Sequence, residues 1–169
     1  AGVDRNTIVG NRIGIDRSGT GSGNAGHGVL VENGARANLV GAPGGGNVIG
    51  DNFADGIAVL GEDTLNNVIQ ANLIGTNADG NAAIGNGKGI VVGAGAKGTV
   101  IGGTAANTDN TISGNLGEGL LIQSIGTRGT VVQGNVIGVA RNRIDRLANG
   151  GAGVLITSGA QGNLIGGSD

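Results

Sequence analysis

The chain has 169 residues, 40 of them glycine, roughly three times the usual share of about 7%, with one Pro, one aromatic (Phe53), one His (His27) and no Cys, Met, Trp or Tyr. No apolar run is long enough to cross a membrane as a helix, no disulfide framework or thiolate metal site can form, and there is no collagen-type glycine period. Leu, Ile, Val and Phe make up 45 residues, more than a disordered chain carries, and a net charge of −2 speaks against a nucleic-acid or anionic-membrane footprint.

Read from the amino end, the chain repeats itself. The first unit carries Asn6-Thr7-Ile8, then Asn11-Arg12-Ile13, then Gly28-Val29-Leu30-Val31. The second carries Asn38-Leu39-Val40, Asn47-Val48-Ile49 and Gly56-Ile57-Ala58-Val59, and the third Asn67-Val68-Ile69, Asn72-Leu73-Ile74 and Gly89-Ile90-Val91-Val92. The fourth has Thr99-Val100-Ile101, Asn110-Thr111-Ile112 and Gly119-Leu120-Leu121-Ile122. The fifth has Thr130-Val131-Val132, Asn135-Val136-Ile137 and Gly153-Val154-Leu155-Ile156, and Asn163-Leu164-Ile165 opens a sixth. Successive first segments start 32, 29, 32, 31 and 33 residues apart, and the step to the second segment alternates as 5, 9, 5, 11 and 5. Two kinds of coil take turns.

Strands this short bury no face alone and must stack on their counterparts one repeat later. Three stacks around a prism make an all-β, right-handed parallel β-helix over residues 1–169, a single domain of about five coils of ~31 residues with three short strands each. Each coil adds about 4.8 Å along the axis. The Ile of the second segment never varies (Ile13, Ile49, Ile74, Ile112, Ile137), whereas the residue before it does (Arg12, Val48, Leu73, Thr111, Val136). Alternation therefore puts the Ile row inside and the variable row outside. The Asn two before each Ile shares its parity, which predicts an internal ladder of Asn11, Asn47, Asn72, Asn110 and Asn135. A second, partial ladder comprises Asn6, Asn38, Asn67 and Asn163, with Thr99 and Thr130 in place of Asn. Glycine at the corners supplies positive φ. Ala1 and Asp169 fall within the repeat and no capping helix flanks them, so a segment of a longer solenoid, or end-to-end stacking, is expected.

The strings Asn-Val-Ile-Gly at 47–50, Asn-Leu-Ile-Gly-Thr-Asn-Ala-Asp-Gly-Asn at 72–81 and Gly-Lys-Gly-Ile-Val-Val at 87–92 resemble the right-handed parallel β-helix repeats of large bacterial secreted and cell-surface proteins, whose superfold is the pectate-lyase-like one. The resemblance covers nearly the whole chain and implies a secreted or surface location. It implies no single activity, because the superfold hosts lyases, hydrolases, adhesins and plain spacers.

Gly26-His27-Gly28 and Asn107-Thr108-Asp109 each match a short motif of polygalacturonases, but in reversed order, with no Asp-Asp pair and about three coils apart. His27 reads as a surface residue of a glycine-rich turn, its counterparts one coil type later being Lys88 and Ala152. Asp55 and Glu118 each precede the third-segment glycine two coils apart, and with Lys88 between them form an acid–base–acid line, the one weak catalytic candidate. Glycoside hydrolysis needs two carboxylates across the scissile bond, whereas exposed ion pairs contribute little. Asn77, Asp79 and Asn81 alternate beside Gly80 in a loop that faintly resembles a Ca²⁺ loop, although an Asx-rich turn needs no metal; no cofactor is otherwise indicated. The loop Arg141-Asn142-Arg143-Ile144-Asp145-Arg146 reads as a drifted surface turn with helical potential, or an anion contact.

In the third segment the outward position is Leu30, Ala58, Val91, Leu121 and Leu155. Such an apolar row asks for cover, either from the long loops or from a partner protein. The expected function is a structural or interaction solenoid, a rigid spacer or adhesin-like rod without catalysis. The alternative is a carbohydrate-active enzyme or glycan-binding module, for which Phe53 is the only aromatic that could stack on sugar.

Overall fold

The computed structural model describes residues 3–167; Ala1, Gly2, Ser168 and Asp169, on which the expectation about the chain ends rests, lie outside them. The first coil contains β1 (Thr7–Ile8), β2 (Arg12–Ile13) and β3 (Val29–Val31), and the second β4 (Leu39–Val40), β5 (Val48–Ile49) and β6 (Asp55–Leu60). The third has β7 (Val68–Ile69), β8 (Leu73–Ile74) and β9 (Lys88–Gly93), and the fourth β10 (Val100–Gly102), β11 (Thr111–Ile112) and β12 (Leu120–Ile122). The fifth has β13 (Val131–Gln133), β14 (Val136–Ile137) and β15 (Val154–Ile156), and β16 (Leu164–Ile165) begins another turn. Every strand pairs in parallel with its counterpart one coil on, which gives three sheets: β1-β4-β7-β10-β13-β16, β2-β5-β8-β11-β14 and β3-β6-β9-β12-β15. The chain is a parallel β-solenoid of about five turns, in the register read from the repeat: Thr7 opposite Leu39, Leu39 opposite Val68, Val68 opposite Val100.

The inward rows form one continuous core. Ile49, Ile74 and Ile112 of the second sheet pack with Ile69 and Ile101 of the first and with Ile57, Ile90 and Leu120 of the third, all completely buried. Burying one such side chain contributes about 1.5–3 kcal/mol, and the stacking of like on like gives every coil the same cross-section. Ile13 and Ile137, in the outermost strands of the second sheet, are only partly buried. The core contains no aromatic side chain, and Phe53 is 86% exposed.

The corners are held by asparagine. The side chain of Asn72 shows the pattern: its Oδ1 accepts from both the backbone N–H (3.1 Å) and the Nδ2 (2.9 Å) of Asn47 one coil back. Its own Nδ2 donates to Asn110 Oδ1 (3.0 Å) and to Val40 O (2.9 Å). The same exchange links Asn11 to Asn47 and Asn110 to Asn135, so the second-sheet ladder runs unbroken through five coils. The first-sheet ladder links Asn6 to Asn38 and Asn38 to Asn67 and then stops at the two threonines. Thr99 Oγ1, Thr130 Oγ1 and Asn163 Nδ2 are buried without hydrogen-bond partners. A hydroxyl one bond shorter than a carboxamide arm does not span to the next coil.

Glycine does its work where the chain leaves a strand. Gly75 follows Ile74 with φ 88°, and a Cβ there would collide with Ser113 O and Asn115 Oδ1 of the next coil. A β-carbon does not fit at this corner, and glycine follows the invariant Ile in four of the five coils, Ser113 taking the place after Ile112.

The threonine gap offers a direct test of the ladder. Thr99→Asn combined with Thr130→Asn supplies the missing rungs and is expected to stabilise the chain by about 1–3 kcal/mol in urea titrations. Asn72→Ala, which strips the acceptor from two buried donors, is expected to cost about 2–5 kcal/mol. No gain from the double asparagine variant would show that the ladder bonds are energetically idle.

Candidate functional site

The residue before each third-sheet glycine stands on the same corner in successive coils. His27, Asp55, Lys88 and Glu118 follow one another there, with Ala152 after them. Gly28 N–H donates to Asp55 O, Asp55 pairs with Lys88 in register, and Gly89 and Gly119 N–H donate to Glu118 O and Ala152 O. The acid–base–acid line expected of Asp55, Lys88 and Glu118 is thus brought together, and His27 extends it to four groups of alternating charge type at strand spacing, about 4.8 Å per step.

His27 is not the isolated surface residue its sequence context suggests. Its Nδ1 lies 3.2 Å from Asp55 Oδ2 and 3.3 Å from the Asp55 backbone N–H. With a proton on Nδ1 the ring donates to the carboxylate; without one it accepts from the amide. The two contacts are therefore alternatives, and each ring state has a partner. The Asp55 side chain is 15% exposed and the His27 side chain 28%. Burial lifts the Asp55 carboxyl above its ordinary value; the charges of His27 and Lys88 pull it down, and Glu118 pushes it up again. The corner thus holds a partly buried acid, its carboxyl raised by burial, against an imidazole.

A concavity lies elsewhere, over the outer face of the second sheet. Val48, Leu73 and Thr111 floor a cavity of about 490 Å³, with Asn107 and Asp109 on one wall and Ala78 and Arg141 on the other. Loops from the two sides close on each other where Arg143 Nη2 meets Asp109 Oδ2 at 3.0 Å. The Arg141–Arg146 segment forms no helix. It is a turn closed by an antiparallel bridge between Val139 and Arg146, in which Asn142 Oδ1 accepts from the N–H groups of Ile144 and Asp145. An Asx turn outcompetes helix here because the amide satisfies the local backbone first. Thr108 is buried with its hydroxyl on Ala105 O (2.7 Å). The Asn107-Thr108-Asp109 string thus belongs to the groove wall, and Gly26-His27-Gly28 to the third-sheet corner.

In the 76–82 loop, Asn77 Oδ1 accepts from the N–H groups of Asn81 and Ala82, and Asn77 Nδ2 donates to Asn81 Oδ1. The two asparagine oxygens of the expected set are engaged in closing the turn. Asp79 is exposed, and among the described residues no three His, Asp or Glu side chains gather in a way that could hold a metal.

The outward third-sheet row forms in register, Leu30–Ala58–Val91–Leu121–Leu155. Ala58, Val91 and Leu121 are 0%, 5% and 6% exposed, so open apolar surface is confined to Leu30 and Leu155 at opposite ends of the row. Ala58, the smallest member, sits between Leu30 and Val91 in register.

A third asparagine ladder supports the charged corner and escaped the sequence reading. Asn24, Asn52, Asn86, Asn115 and Asn149 hand their amides from coil to coil, Asn52 Nδ2 to Asn86 Oδ1 at 2.7 Å and Asn86 Nδ2 to Asn115 Oδ1 at 3.0 Å. Its signal is present in the sequence as an Asn four residues before the third-segment glycine in four coils, and three before it at Asn86. This ladder fixes the backbone that places His27, Asp55, Lys88 and Glu118.

Compared with known families, curated proteins and solved structures, the chain matches none.

The raised carboxyl makes a signed prediction. A carboxyl whose folded value is raised adds stability that is complete below the unfolded value of about 3.8 and is lost as pH rises through the folded value. Asp55→Asn removes that slope and keeps an acceptor for His27. The melting temperature of the variant is expected to gain on that of the parent between about pH 3 and about pH 7. A difference that stays flat across this range would show that burial of Asp55 does not set its protonation.

Proposed function

We propose that the chain is a structural solenoid: a rigid rod of the pectate-lyase-like kind, serving as a spacer or adhesin-like element of a secreted or surface protein. One observation carries this reading. The asparagines of two corners are engaged in holding coil to coil, through ladders that give the second- and third-sheet corners a bond at every step. A stack in which each coil repeats the last behaves as a quasi-one-dimensional object whose length scales with coil number. The charged corner supports the same reading, because opposite charge types alternate along it and His27 finds both its polar partners on Asp55. Location outside the cell rests on the family resemblance of the repeat strings.

Two measurements separate this reading from a carbohydrate-active enzyme. A second copy of residues 38–98 inserted after Gly98 adds one pair of coils in register; small-angle scattering is expected to show a folded particle about 10 Å longer. Incubation with polygalacturonate and other acidic polysaccharides, with and without Ca²⁺, is expected to release no product. Cleavage that disappears in Asp55→Asn or Glu118→Gln would replace the spacer by an enzyme acting at the charged corner.

A further inference from the structure

Asparagine followed by glycine occurs three times, at Asn33-Gly34, Asn86-Gly87 and Asn149-Gly150. In such a pair the glycine backbone nitrogen can attack the asparagine side-chain carbonyl, because the glycine has no Cβ to obstruct the approach. The fold treats the three pairs differently.

Asn86 and Asn149 are rungs of the third ladder. Asn86 is fully buried; its Nδ2 donates to Ile49 O (3.1 Å) and Asn115 Oδ1 (3.0 Å), and its Oδ1 accepts from the N–H and Nδ2 of Asn52. Asn149 Nδ2 donates to Ile112 O (3.0 Å), and its Oδ1 accepts from the N–H and Nδ2 of Asn115. The attacking nitrogens are held as well. Gly87 N–H is shared between Ala54 O (2.7 Å) and Asn52 O (3.0 Å), and Gly150 N–H donates to Asn115 O (2.8 Å). Either pair must first break bonds that join coils before it reacts.

Asn33 has no such duty. Asn33 and Gly34 form the tip of the turn after β3, with φ 56° and 80°, closed by Ala35 N–H donating to Glu32 O at 3.2 Å. Positive φ at both central residues is the turn geometry that Asn and Gly adopt most readily. The Asn33 side chain is exposed and belongs to none of the ladders. Gly34 N–H donates to a hydroxyl, Thr64 Oγ1, at 3.3 Å, the longest of the bonds that hold the three glycine nitrogens. The same turn recurs as Ala94-Gly95 and Ser158-Gly159, closed by Ala96 N–H on Gly93 O and Ala160 N–H on Thr157 O. The turn therefore needs no carboxamide at this place.

We propose that Asn33 is a site of selective spontaneous deamidation. Solvent base takes the proton from Gly34 N, and that nitrogen bonds to Asn33 Cγ. The Cγ–Nδ2 bond breaks, and ammonia leaves with a proton returned from solvent. Water then opens the cyclic imide at either carbonyl and leaves an aspartate or a β-linked isoaspartate at position 33. Nothing is oxidised or reduced, and no cofactor takes part. The new carboxylate joins Glu32, Glu62 and Asp63 around a hollow of about 440 Å³, where like charges repel. The inference stands apart from the spacer reading, since a catalytic rod would carry the same turn.

The folded chain, aged at mildly alkaline pH in heavy-oxygen water, tests this by peptide mapping in a mass spectrometer. Position 33 is expected to gain about one mass unit plus the oxygen label, at least about tenfold faster than Asn86 or Asn149. In urea that unfolds the chain, the three rates are expected to converge. Asn33→Ser copies the chain's own Ser158-Gly159 turn. It is expected to keep the circular dichroism spectrum and to lose the early acidic species seen on ion exchange. Three outcomes would each overturn the proposal: position 33 intact in the folded chain while the unfolded chain is modified there, equal rates at all three pairs in the folded chain, or an undiminished lead for position 33 in urea.

Discussion

A primary carboxamide has an acceptor and two donors at the end of one short arm, and parallel strands set their neighbours about 4.8 Å apart. The fold depends on that match. An Asn at a corner reaches the previous coil with its oxygen and the next one with its nitrogen, and it satisfies the turn backbone on the way. Aspartate offers only acceptors, glutamine is one carbon too long for the corner, and threonine does not span the gap, as the orphaned hydroxyls of Thr99 and Thr130 show. The isoleucine rows supply the larger share of burial, but an oily interior alone tolerates slippage. The amides set the register, because a slip by one residue would break a whole column of buried bonds at once.

From that constraint the rest follows in order. The ladders fix the corners, the corners fix where the chain reverses, and the reversals decide which residues line up from coil to coil. His27 meets Asp55 because both stand three residues beyond a rung of the same ladder, at Asn24 and Asn52. The long loops between the second and third sheets are free of this duty. They close through their own Asn77 and Asn142, and the third- and fifth-coil loops meet where Arg141 N–H donates to Gly80 O (2.9 Å).

Much of this was legible in the sequence. The never-varying Ile13-to-Ile137 row and the Asn two residues before each member gave coil number, register and inward face, because a parity rule links them at fixed spacing. The third ladder was hidden for a simple reason: its Asn residues precede no isoleucine, and Asn86 stands one residue closer to its glycine than the others do. The His27–Asp55 pair is hidden because the alternation of coil lengths aligns His27 with Lys88, in the next coil of the same length class. Its contact is with the adjacent coil of the other class. The burial of Val91 and Leu121 also lay beyond reading, since a parity pattern distinguishes inward from outward but says nothing of how far an outward residue is covered.

The alternation of loop lengths has a geometric outcome. The long self-closed excursions after β2, β8 and β14 occur on every second coil and on the same corner of the prism, so they project in one direction at intervals of about 10 Å. Their tips make no ladder bonds, and lengthening a surface loop costs little, about 0.6 kcal/mol per doubling. The molecule is thus a display rack with a fixed pitch, in which what hangs from the pegs can change while the spacing between them cannot.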